Sequence, residues 1–386
     1  MRLETKMIVM KFGGTSIQNS EVCKKVINII KNTSDTQKII VFSAMGKTTR
    51  KLLALSESYA EQKERAVKKI FNDIRIFHNE LTKSLISSKE IKMVIPLLEF
   101  YFNQIKESGG KIQQKKKLDA KMQDAMLSYG ELLSTSIMTS AMRSYGLNAR
   151  LMNSRDFIIT DSSFTCAKPL SEQSYEKSNK VIPKILENAE IPVIQGFIGS
   201  DIHGDTTTLG FEGSDLTASL IGAALNANEI QIWKDVSGIM TADPCVYSRA
   251  RCIDTITFKE AYELSKAGAK VLHTRTTTPA AEKGIPIRIK NSTNPKDRGT
   301  LICNGDRTAH FSTKSIVCKI VNDKVLISLI GQGISQRKNF IQDITGQIKK
   351  LSFTLDNNAS TDVLTFIFNK KDMKKAVEIL HDMIFK

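Results

Sequence analysis

The chain has 386 residues, 41% of them hydrophobic and 25% charged, with a formal net charge of +16. That length accommodates one large domain and a small one, the composition excludes wholesale disorder, and no apolar run reaches the roughly 20 residues that a bilayer span requires. Residues 1–10 (MRLETKMIVM) lack the apolar core of a secretory signal, so a cytoplasmic location is expected. The six scattered cysteines, without a CxxC or a histidine cluster, point to reduced thiols and away from disulfides or a metal centre. The densest lysine group, residues 111–121 (KIQQKKKLDAK), lies between apparent helices with no interleaved aromatics. It reads as a solvated face, with neither nucleic acid nor membrane expected as a partner.

Residues 7–12 (MIVMKF) read as a short buried strand, followed by Gly13-Gly14-Thr15-Ser16 and an apolar 3.6-residue period over 22–30. Residues 38–43 (KIIVFS) form a second buried strand ending in a polar turn, 44–50, before another helix. Two such units in fifty residues predict a parallel sheet. A mainly helical stretch covers 52–145, with breaks expected at Pro96 and at Gly109-Gly110. Strands return at 191–194, 229–233 and 285–289, and residues 215–225 read as a helix opening on Gly213-Ser214. The alternation predicts an α/β, three-layer αβα sandwich with a mainly parallel sheet over residues 1–303. A polar linker is expected over 304–314. A small α+β ferredoxin-like unit is expected over 315–386, built from strands at 324–330, 351–355 and 363–368 and helices at 340–350 and 373–384.

The strongest local chemical signal is Lys11-Phe12-Gly13-Gly14-Thr15-Ser16. Glycines let backbone amides approach an anion, the following helix N-terminus adds partial positive charge, and the lysine adds a full one, which together make a phosphate cradle. Because the lysine precedes the glycines, this is not the GxxxxGK[ST] loop, and a glycine pair after a strand is by itself also an ordinary tight turn. The string KFGGTS resembles the opening motif of aspartokinases. The resemblance recurs in family order at 43–49 (SAMGKTT), 129–134 (YGELLS), 196–199 with 206–210 (GFIG…TTTLG), 213–215 (GSD), 232–244 and 268–273 (GAKVLH).

That resemblance implies an ATP- and Mg2+-dependent aspartate kinase that makes 4-phospho-L-aspartate at the opening of lysine, threonine and methionine biosynthesis. It implies that Lys11 stabilises the transferred phosphoryl group, that Gly13 and Gly14 offer it backbone contacts, and that Asp215 organises the active-site lysines. Lys270, Ser43, Lys234 and Asp235 would face the nucleotide phosphates, and Thr49, Glu131, Phe197 and Ser214 the amino-acid substrate, with Glu131 on its ammonium group. No dedicated metal ligands are implied. The chain departs from the family where Phe211-Glu212 replaces Arg-Gly before Gly213-Ser214-Asp215, so the arginine that binds a substrate carboxylate is missing and Glu212 opposes an anionic acceptor if it faces the pocket. Lys234 stands where the family has threonine and Cys245 where an arginine is common. A substitute cation at Lys234, an acceptor other than aspartate, or a weakly active regulatory paralogue are the readings these departures open. The C-terminal unit resembles one of the two ACT modules usual in the family, which implies a homodimer built through it.

Overall fold

The computed structural model describes residues 6–33, 36–269, 272, 274–305, 313–356 and 360–385. It divides into two compact units, Met1–Val236 with Asn291–Pro295 and Ser237–Lys290 with Lys296–Lys386. The expected boundary at residue 303 falls inside the second unit, and most of the expected linker lies outside the described residues.

In the first unit the elements run β1 (Lys6–Phe12), α1 (Ser20–Asn32), β2 (Thr36–Phe42), α2 (Thr48–Ala60), α3 (Glu64–Leu85), α4 (Ser88–Lys115), α5 (Ala120–Ser144) and β3 (Ala149–Leu151). There follow β4 (Ile159–Thr160), α6 (Ser171–Glu187), β5 (Ile191–Gln195), β6 (Ile198–Asp201), β7 (Thr206–Thr208), α7 (Gly213–Ala224) and β8 (Glu229–Lys234). β1 lies centrally, parallel to β2 on one side and to β8 on the other, and β5 continues from β2 to β3, all parallel. Side chains alternate along a strand, so β1 is read by two different layers. Ile8, Met10 and Phe12 enter a core shared with α1 to α5, whereas Lys11 turns to the opposite face, where α7 packs. This is the three-layer αβα arrangement, and both faces of β1 are buried, as its unbroken apolar run requires.

Phe12 is in register with Phe42 on β2 and Trp233 on β8. Its ring centroid is 5.7 Å from each of theirs, which gives an aromatic row across the strand ends that carry the site.

The breaks expected at Pro96 and Gly109-Gly110 do not occur. α4 runs unbroken through both, because Val94, Leu98, Phe102, Ile105 and Ile112 form one buried stripe whose packing offsets the roughly 3 kcal/mol that an internal proline costs. Gly109 is there for close approach: a Cβ at that position would lie 2.1 Å from Tyr59 Cε2. The lysine-rich segment also proves mostly helical, since α4 ends at Lys115 and α5 begins at Ala120.

In the second unit β9 (Thr255–Thr257) leads into α8 (Phe258–Ala267) through a reciprocal capping box of Thr257 and Glu260, followed by α9 (Thr274–Glu282), β10 (Ile287–Asn291) and β11 (Thr300–Cys303). Then come β12 (Thr313–Val321), β13 (Lys324–Gly331), α10 (Lys338–Ile348), β14 (Phe353–Asp356), β15 (Val363–Asn369) and α11 (Met373–Ile384), with an antiparallel sheet in the order β12-β13-β15-β14. The expected β-α-β-β-α run is present, and β12 is an addition to it. β12 forms a hairpin with β13 through a two-residue turn with Asn322 in the left-handed region, and it lies beside β13 where a ferredoxin-like unit carries its last strand. The sequence hid it because serine, cysteine and lysines interrupt its apolar run. The core of the sheet includes Val325, Ile327, Leu329, Phe366, Phe368, Val377 and Leu380.

Candidate active site

The C-terminal ends of β1 and β2 and the N-terminus of α7 converge on a cavity of about 490 Å³, as expected of an open α/β sheet, whose ligands bind beyond the carboxyl ends of its strands. Lys11, Ser43, Thr49, Glu131, Phe197, Phe211, Glu212, Ser214, Asp215 and Lys234 are among its lining residues.

Three of these form a charged cluster. Asp215 stands in the first turn of α7, a helix whose residues are all buried, and the residue is 2% exposed. Lys11 Nζ lies 2.5 Å from its Oδ1 and Lys234 Nζ lies 3.2 Å from its Oδ2. Burial pushes the Asp215 carboxyl up, but the Lys11 and Lys234 ammonium groups outweigh it and hold the group below the ordinary carboxylate value. Lys234 is held in turn by Glu212 Oε1 at 3.3 Å; burial pulls its ammonium down, and the Asp215 and Glu212 carboxylates together raise it above the usual lysine value.

Across the cavity stands Glu131 of α5, 3% exposed. Its Oε1 accepts the Ala44 N–H at 3.0 Å, and its Oε2 is buried without a hydrogen-bond partner among the described residues. Burial pushes its pKa up to about 8, against the smaller opposing pulls of the Ala44 N–H, its own backbone N–H and Lys11. A buried carboxyl with one orphan oxygen, on a residue that lines a cavity, is a ready partner for a cationic group.

Backbone strain marks the same place. Thr165, Phe197 and Glu212, all lining the cavity, have left-handed φ values of 71°, 69° and 54°. For a β-branched, an aromatic and a long acidic residue each such conformation costs on the order of 1–3 kcal/mol, so the surrounding structure imposes it.

The glycine cradle divides in two. Gly13 donates its N–H to Trp233 O at 3.3 Å, so that amide is committed to the sheet and not to the cavity. Gly14 opens a 3-10 turn, whose first amides have no intrahelical acceptor, and a Cβ on Gly14 would lie 2.5 Å from Ala44 O, so only glycine fits.

The amino acid kinase family matches residues 6–291, about three-quarters of the chain. The chain belongs to the amino acid kinase family. Among its relatives, Aspartokinase 1, chloroplastic, of Arabidopsis thaliana is 33% identical over 361 residues, covering 92% of this chain and 62% of the relative. Lysine-sensitive aspartokinase 3 of Escherichia coli (strain K12) is 30% identical over 360 residues, covering 93% and 77%. The chain therefore spans about three-fifths of the plant relative's length. E. coli aspartokinase III, solved in complex with aspartate and ADP, shares the fold at a TM-score of 0.86 and 24% identity, covering 99% of this chain and 100% of that one.

Of the residues expected at the site from the sequence, the cavity gathers Lys11, Ser43, Thr49, Glu131, Phe197, Ser214, Asp215 and Lys234. Gly13, Gly14 and the exposed Asp235 are not among its lining residues, and Lys270 lies outside the described residues. Asp215 is both a first-turn acid of α7 and the partner of two lysines, and Glu131 is buried. Asp124 of α5 went unread. Its carboxylate accepts the N–H groups of Thr165 and Thr208 at 2.8 Å and the Thr208 hydroxyl at 2.7 Å, which fixes the strained loop and β7 against α5. A lone aspartate seven residues before Glu131 in an apolar helix was the available signal.

Proposed function

We propose that the protein is an aspartokinase that transfers the γ-phosphoryl group of ATP to the side-chain carboxylate of L-aspartate, giving 4-phospho-L-aspartate and ADP. The observation that carries this reading is the pairing, in one cavity, of two ammonium groups clamped on Asp215 with a buried Glu131 that has an oxygen to spare. The first suits phosphate and carboxylate charge, the second an amino group. The kinship to aspartokinases supports the same choice.

In this reading an oxygen of the substrate carboxylate attacks the γ-phosphorus in line, the bond from that phosphorus to the β-γ bridging oxygen breaks, and the electron pair leaves with ADP. No general base is needed, because a carboxylate is already ionised at neutral pH. Lys11 stabilises charge on the moving phosphoryl group, Asp215 fixes the direction of Lys11, and the amide of Gly14 faces the phosphates. Magnesium would arrive bound to the nucleotide. Both Asp215 oxygens are taken by lysines, and the described residues hold no cluster of three acidic, histidine or cysteine side chains. Residues 315–386 would act as a regulatory or dimerisation module appended to a cytoplasmic kinase of residues 1–303.

Phe211, 80% exposed at the cavity rim, cannot bind a carboxylate, which favours as a second reading a different acidic acceptor for the same chemistry. Incubation with MgATP and L-aspartate, L-glutamate or N-acetylated acids, with acyl phosphates trapped by hydroxylamine, separates the two. Hydroxamate from aspartate alone supports the first, hydroxamate from another acid alone the second, and none from folded protein refutes both.

A further inference from the structure

We propose that Lys234 anchors a carboxylate of the acceptor and that Glu212 is its resident counter-ion, seated where that carboxylate binds and displaced by it. The inference rests on the reading of the cavity as a site for an acidic acceptor, and it names the residue that recognises the acid.

Among the described residues, those that line the cavity with a charge or an acidic group are Lys11, Glu131, Glu212, Asp215 and Lys234. Asp215 lies in the first turn of a fully buried helix with a lysine on each oxygen. Glu212 is placed differently. It precedes α7 in the N-cap position, makes no capping hydrogen bond with its side chain, and touches Lys234 at 3.3 Å with a side chain 14% exposed. The structure thus already shows a carboxylate on the Lys234 ammonium inside the cavity, carried on a side chain with three rotatable bonds. A lysine ammonium has three N–H donors, so Lys234 can keep Asp215 while exchanging its other carboxylate.

Charge balance gives the exchange a purpose. With Glu212 seated, two ammonium groups face two carboxylates, while burial keeps Glu131 close to its neutral form, so the charges of the described lining residues nearly cancel. An acid that binds Lys234 replaces a like charge and leaves the balance unchanged. An uncharged analogue would strand Lys234 or fail to dislodge Glu212, which is discrimination by an element that opposes the wrong ligand. Glu212 has a strained left-handed backbone, φ 54° and ψ 25°, and its side chain meets Lys234 at the cavity wall.

The two residues should therefore act with opposite sign on the acceptor, which a merely structural pair does not do. Steady-state kinetics on Lys234→Met should show the aspartate KM raised about 100-fold with the ATP KM within about twofold, and Glu212→Gln should lower the aspartate KM roughly fivefold. The double variant should match Lys234→Met. A raised aspartate KM in Glu212→Gln, or a Lys234→Met effect confined to ATP, overturns the proposal. Calorimetric titration with succinate, a dicarboxylate lacking the amino group, keeps this apart from the question of activity. Binding tightened by Glu212→Gln and abolished by Lys234→Met supports the anchor even if the wild-type protein phosphorylates no acceptor, and equal binding by all three proteins refutes it even if aspartate is turned over.

Discussion

Replacing Glu131 by glutamine tests whether that carboxyl is held unionised in the ligand-free protein. Glutamine keeps the size of the side chain and an acceptor for the Ala44 N–H, and it removes the ability to ionise. The pKa of Glu131 rises from the ordinary 4.5 to about 8 on folding, through burial. The folded state therefore holds a proton that the unfolded state releases, so the contribution of this group is fully present below about pH 4.5 and is lost as pH rises through 8. At 1.36 kcal/mol per unit the loss is about 1 kcal/mol at pH 5, about 2 at pH 6 and about 4 at pH 8. The glutamine variant escapes that loss. Any fixed cost of burying its amide is the same at every pH and cancels in the difference. Urea unfolding of both proteins should show the stability of Glu131→Gln relative to wild type improving by about 3 kcal/mol between pH 5 and pH 8. A difference that stays flat across that range refutes the picture of a neutral buried acid.

The same picture predicts that an amino-acid ligand whose ammonium meets Glu131 restores its charge, so binding at pH 7 should release close to one proton. Calorimetric titration of aspartate in buffers of differing ionisation enthalpy reads this directly, and no buffer dependence would count against it. Lys11→Ala should lower turnover by orders of magnitude with the fold intact by circular dichroism. Asp215→Ala should lower turnover similarly and also destabilise by about 3–5 kcal/mol, because two lysines lose a buried partner. Gly109→Ala should cost about 1–3 kcal/mol in chemical denaturation through collision with Tyr59, and a neutral result would mean that α4 and α2 are less tightly apposed than described.

Much of the fold was legible because it is local. The apolar run at 7–12 is a strand with both faces buried, 229–233 alternates buried Ile230 and Ile232 with half-buried Glu229 and Gln231, and residues 373–384 are a helix because a 3.6-residue stripe has one face to hide. The misreadings share one cause. Pro96 and Gly109 are helix breakers by propensity, and α4 passes through both because its buried stripe and the Tyr59 ring reward continuity. β12 has too broken an apolar pattern to announce itself and is held by its hairpin partner.

For the site, the sequence by itself determined which residues were worth watching: the lysine and glycines at the end of the first strand, the acid at the start of a helix, and the anomaly of Phe211, Glu212 and Lys234. Only the tertiary structure decided what they do to one another. Lys11 and Asp215 are 204 positions apart and meet at 2.5 Å; Glu212 proved paired and not merely repulsive; Glu131 proved buried with an oxygen unused. Ionisation and ion pairing depend on distance and burial in space, and a linear sequence carries neither.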